Sequence, residues 1–113
     1  MSEGKKVPRI YISGPISGRD IEERKKAFWL AQQHLECMGY EVINPMAEAD
    51  KHPEDVTTHQ HMKRDIELLL TCDYIYMMWL WTHSKGCMVE LEVATSIGLP
   101  VIFEEDGRMV SFV

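Results

Sequence analysis

Tyr74-Ile75-Tyr76-Met77-Met78-Trp79-Leu80-Trp81-Thr82-His83-Ser84-Lys85-Gly86-Cys87-Met88-Val89-Glu90 is the stretch from which the fold can be read. It carries a near-continuous apolar run, Asp73 to Leu80, as expected of a strand buried on both faces of a parallel sheet. It passes into a helical pattern, Cys87 to Ile97, that stops at Gly98. Ser84 and Gly86 therefore sit where a strand turns into a helix. Ligands of open parallel sheets bind at the carboxyl ends of the strands. A Ser-x-Gly turn at that edge offers N–H groups and a hydroxyl to an anion. Glu90 follows one turn into the helix, as a carboxylate placed to attack or steady an electron-poor carbon.

Working outward, Arg9-Ile10-Tyr11-Ile12-Ser13 is short, β-branched and aromatic, and ends at Gly14-Pro15. That is a first strand stopped by turn residues. Gly14 to Arg19 is a loop. Asp20 is an N-cap, with Glu23 in capping-box position. The helix it opens runs to about Met38, with Ala27, Leu30, Ala31, Leu35 and Met38 as its buried stripe. Gly39 closes it. Tyr40 to Asn44 is a second strand ended by Pro45. Met46 to Val56 has no period and reads as an excursion with one helical turn. A second helix runs from Thr57 or Thr58 to about Leu70, with Met62, Ile66, Leu69 and Leu70 inward. Pro100 to Phe103 is the fourth strand, Glu105-Asp106-Gly107 a turn, and Met109 to Val113 a short fifth strand. The alternation of strand and helix predicts an α/β, flavodoxin-like three-layer sandwich around a mostly parallel sheet of four or five strands.

The 113 residues predict one domain over 1–113, with 1–7 frayed. The net charge of -6 argues against a duplex nucleic-acid partner. It does not argue against a nucleotide, because a local site can be positive on an acidic protein. Three cysteines without a CxxC pair speak against a disulfide framework or a zinc knuckle and for a reducing, cytoplasmic setting. No signal peptide or membrane span is read from the sequence. A modest core and Trp29 off the main stripe predict a homo-oligomer, a dimer or larger.

Three loops are expected to meet at the carboxyl edge of the sheet: Gly14 to Arg19, Asn44-Pro45, and Trp81 to Gly86. Asp65, on the second helix, either leans toward that edge or is solvated. Each candidate has a plainer reading. Glu90 is favoured near a helix start by the macrodipole. Ser84 caps a helix, Gly14 and Gly18 serve turns, and Arg19 is a surface charge. Trp81 stacks on a ligand base or packs. His59 and His61 point apart on a helix and make a poor metal pair, so no metal is expected. Cys87 reads as packed rather than reactive.

Taken together, the chain resembles the nucleoside 2-deoxyribosyltransferase-like superfamily, and most closely a short branch of it found in bacteria and phages. The resemblance spans roughly Ile10 to Phe103. It rests on Tyr11-Ile12-Ser13-Gly14-Pro15-Ile16-Ser17-Gly18, Gly39 to Pro45, Met62 to Asp65, Cys72-Asp73, and Trp81 through Glu90 with Ala94 and Gly98. It implies cleavage of the N-glycosidic bond of a 2′-deoxynucleoside or its 5′-monophosphate, with no cofactor. By the resemblance, Glu90 is the nucleophile that forms a covalent glycosyl-enzyme, Asp65 serves the leaving base, and Tyr11 lines the site. Gly14, Ile16, Ser17, Gly18, Arg19, Asn44, Trp81, Ser84 and Gly86 are the substrate-binding set, with Ser17, Gly18, Arg19 and Ser84 facing a phosphate. Glu92 departs from the glycine frequent two residues after the nucleophile. The rival reading is a non-catalytic nucleotide-binding or sensing module, which does not need Asp65 and Glu90 together.

Overall fold

The computed structural model describes residues 6–106 and 108–112. The expectation of a frayed start lies, for residues 1–5, outside them. The strands are β1 (Arg9–Ser13), β2 (Glu41–Ile43), β3 (Tyr74–Met77), β4 (Val101–Glu105) and β5 (Arg108–Phe112). The helices are α1 (Ile21–Cys37), α2 (Pro45–Asp50), α3 (Thr58–Leu69) and α4 (Lys85–Ser96), with a 3₁₀ turn at Trp81–His83. One sheet runs in the order β2-β1-β3-β4-β5. The first four strands are parallel, and β5 pairs antiparallel with β4. The doubly wound, mostly parallel sheet expected from the sequence is present.

Side-chain alternation along the strands builds two cores. Ile10, Ile12 and Tyr76 pack with Phe28, Ala31 and Leu35 of α1. Tyr11, Ile75 and Met77 pack with Leu69 of α3 and with Cys87 and Ala94 of α4. The chain passes from β1 to β2 on one side and then to β3 on the other. Strand order thus reverses at β1, the point where such sheets open a crevice.

Several local expectations shift. The buried stripe of α1 is Phe28, Ala31 and Leu35, while Leu30 and Met38 are about half exposed. The stripe is rotated toward Phe28, whose ring lies under the Arg24 guanidinium at 5.7 Å. Asp20 does cap α1, accepting from the Glu22 N–H, but Glu23 pairs with Arg24 instead of closing a box. The box forms on α3: the Gln60 N–H donates to Thr57 Oγ1 and the Thr57 N–H to Gln60 Oε1. The excursion holds its helical turn as α2, begun by Asn44 and by Pro45 at its first position, where a missing N–H costs nothing, and is irregular from 51 to 57. Leu70, expected inward, is exposed. β3 stops at Met77, because Leu80 adopts a left-handed φ of 69° and the chain turns off the sheet. Gly14 sits in a close approach: a Cβ there would collide with Met78 Sδ and lie 2.9 Å from Phe28 Cζ.

Candidate active site

Tyr11 and Ser13 are two residues apart on β1, so both point to the α3/α4 face. Both meet Glu90. The Tyr11 hydroxyl donates to Glu90 Oε2 at 2.7 Å, and Ser13 Oγ donates to Oε1 at 2.6 Å. Glu90 belongs to the buried stripe of α4 with Cys87 and Ala94. Because α4 begins at Lys85, Glu90 falls in its second turn and is 7% exposed, not an exposed first-turn residue. Burial pushes its pKa up, and the hydrogen bonds from Ser13 and Tyr11 oppose that rise. Tyr11 is raised well above the ordinary phenol value, first by burial and then by the charges of Glu90 and Asp65. It therefore remains a neutral O–H donor.

Asp65, on α3, faces the same space. Burial, then the charge of Glu90, then that of Asp55, raises it from 3.8 to about 7. The neighbouring Arg64 does not quench it, because its guanidinium turns outward to Asp55 at 2.9 Å. Burial raises both carboxyl groups, and they differ in their partners: Glu90 accepts two hydroxyl hydrogen bonds that favour its anion, whereas Asp65 is pushed further up, to about 7, by the charge of Glu90.

They share a cleft of about 780 Å³ at the carboxyl ends of β1 and β3. The three expected loops do meet there. Of the candidates from sequence, Tyr11, Gly14, Ile16, Ser17, Asp65, Ser84, Gly86 and Glu90 line it. Four do not. Asn44 is buried and caps α2, its Oδ1 accepting from the Met46 and Ala47 N–H groups while its amide donates to Gln32. Trp81 packs on Phe103, ring centroids 5.6 Å apart. Gly18 takes a positive φ of 76° and shapes the exposed turn. Arg19 lies across the sheet on a smaller cleft of about 330 Å³, with Arg24, His34, Trp79 and Glu104. Ser84 caps α4, its Oγ accepting from the Cys87 N–H at 3.2 Å. The plainer reading of that residue therefore holds even though it also borders the cleft.

Sequence reasoning missed Ser13, although its spacing from Tyr11 placed it on the same face. It also missed Lys25, His61, His83 and Lys85, which supply positive or protonatable groups to the cleft wall, and the apolar Met46 and Met62. Cys87 borders the cleft but is buried, and burial raises its thiol pKa. Among the described residues, no group of three or more His, Cys, Asp or Glu is placed to hold a metal ion. No helix among them is long and apolar enough to cross a membrane.

Residues 8–103 match the family model described as Domain of unknown function (DUF4406), and the chain belongs to that family. No curated protein sequence matches it significantly. Among solved structures it is similar to the 2-deoxyribosyltransferase from the psychrotolerant bacterium Bacillus psychrosaccharolyticus. The TM-score is 0.69 at 22% identity, over 86% of this chain and 72% of that one. The fold is therefore that of a 2-deoxyribosyltransferase, as the resemblance implied.

Proposed function

We propose that this DUF4406 member cleaves the N-glycosidic bond of a 2′-deoxynucleoside or its 5′-monophosphate through a covalent glycosyl-enzyme on Glu90. The observation that carries the reading is the pair of unlike carboxyl groups on one cleft. Glu90 is held by two hydroxyl donors, and Asp65 titrates near 7. In the first half-reaction a Glu90 oxygen bonds to the anomeric carbon. The carbon–nitrogen bond breaks, its electron pair leaves with the base, and Asp65 delivers the proton. In the second, water or an acceptor base attacks that carbon, gives its proton to the Asp65 carboxylate, and the ester bond to Glu90 breaks with its electron pair returning to Glu90. This is the logic of retaining glycosidases, with a nucleophile and a separate acid/base group. The shared fold with a 2-deoxyribosyltransferase supports it.

Lys85 and His83 beside the start of α4, and Ser17 on the facing loop, favour an anionic group such as a 5′-phosphate at the cleft. Arg19 has no part in that reading. The exposed Trp29, Leu30 and Trp79 further support self-association; a monomer mass by light scattering removes that element.

The test is a panel of deoxynucleosides and their 5′-monophosphates, with and without an acceptor base, read as free base by chromatography. Release that is lost in Glu90→Gln is expected, and base exchange would make the enzyme a transferase. Nucleotide binding by folded protein without release from any substrate would overturn the enzyme and leave a binding module.

A further inference from the structure

We propose that Ser13 is the positioning residue of the nucleophile: its hydroxyl pins Glu90 Oε1 against β1 and leaves Oε2 as the oxygen presented to substrate. The proposal rests on the reading of Glu90 as nucleophile.

The geometry is asymmetric. Ser13 is fully buried and stands outside the cleft wall, 2.6 Å from Oε1. Tyr11 belongs to that wall and reaches Oε2. The terminal torsion of a glutamate is broad and two-fold, so one hydrogen bond would leave the carboxylate free to swing. Two donors from one strand, each on a different oxygen, fix both its plane and its direction. Each oxygen retains a second lone pair. The donor on Oε1 is buried away from the cleft and the donor on Oε2 borders it, which makes Oε2 the oxygen nearer the cleft in this reading. Oε2 then forms the bond to the anomeric carbon as the base departs with its electron pair and the Asp65 proton. It is released when water or an acceptor attacks the same carbon.

The Cys87 thiol also lies against Ser13. A serine hydroxyl has one proton, and here it goes to the carboxylate. Burial is the largest influence on that thiol and raises its pKa. The titratable groups facing Glu90 are Tyr11 of β1, Asp65 of α3 and Cys87 of α4, with Lys25, Asp50, His61, His83 and Lys85 elsewhere on the cleft wall.

The experiment titrates the Glu90 carboxyl by carbon-13 NMR of glutamate-labelled protein, its signal identified by its loss in Glu90→Gln. The pH–rate profile of base release is measured alongside. Ser13→Ala should raise the Glu90 midpoint by about one unit. It should carry the acid limb of kcat upward with it and lower kcat roughly tenfold with little change in KM. Ser13→Cys, close in size and a weaker donor, should move the midpoint the same way by less, and it serves if the alanine variant does not fold. An unchanged midpoint in a folded variant overturns the proposal. A shifted midpoint in a protein that releases base from no substrate supports the role of Ser13 and sinks the glycosidase reading, so the two failures are separable.

Discussion

The sheet carries a tyrosine–glutamate pair on each face, and the two pairs have different fates. Tyr11 and Glu90 meet on the α3/α4 side. Tyr76 and Glu104 meet on the α1 side, where burial and the nearby carboxylate push the phenol up as they do for Tyr11. Glu104, however, accepts the Trp79 backbone N–H at 2.8 Å and so ties down the turn after β3. The cleft beside it holds Arg19, Arg24 and His34 and no second carboxyl group. Glu90 accepts from the Tyr11 and Ser13 side chains and shares its cleft with Asp65, whose pKa is raised to about 7. A carboxylate clasped by a tyrosine is therefore not by itself a site. The second acid on the same cleft makes the difference.

That contrast can be broken most directly at the two glutamates. Glu90→Gln is expected to lower base release by on the order of 10³-fold or more. Glu104→Gln should leave it within about twofold and act on thermal stability instead; equal losses of activity would erase the distinction. Glu90→Ala is the poorer probe, because it strands two buried hydroxyls at a cost of about 1–3 kcal/mol each.

Asp65 gives the next largest effect. Asp65→Asn should slow release by about 10²- to 10⁴-fold. In the wild type the rate should fall as pH rises through about 7, where Asp65 loses its proton, and the variant should lose that limb. Stability follows the same group with a definite sign. The folded carboxyl holds its proton up to about 7 while the unfolded one releases it near 3.8. Its contribution is thus complete below the lower value and is lost as pH rises through the upper one. Asp65→Asn should then melt higher than wild type at pH 8 while being less active. A melting temperature that does not respond to the substitution at that pH would contradict the assigned titration.

Smaller effects separate scaffold from site. Asn44→Ala removes the α2 cap and should cost about 1–2 kcal/mol in chemical denaturation with kcat unchanged. Arg19→Ala should alter neither turnover nor substrate KM, since its side chain belongs to the opposite cleft; a raised KM for monophosphates would return Arg19 to the site.

Glu90 was legible because a strand-to-helix turn announces itself through period and turn residues, whereas Tyr11 entered as a site residue only through the resemblance. Ser13 was equally visible, since the two-residue period of β1 puts it beside Tyr11, yet nothing in the sequence marks a serine in a strand as a partner. Asn44 and Ser84 both cap helices, and only Ser84 also borders the cleft. Both are good caps and good ligand donors, and only the hydrogen bonds they make decide between the two. The wrong side of the sheet for Arg19 could not be seen either, because the direction of a side chain after a positive-φ turn at Gly18 depends on how the loop packs.

The sequence by itself determined the order of the strands and of the three long helices, the buried strands and the edge where the loops converge. These depend on local period, caps and breakers, which neighbours along the chain decide. Only the tertiary structure decided that Glu90 is buried between two hydroxyls, that the Asp65 carboxyl is pushed up to about 7, and which candidates face the cleft. Those properties arise from burial and from charges brought together across 79 positions between Tyr11 and Glu90, distances that no local pattern encodes.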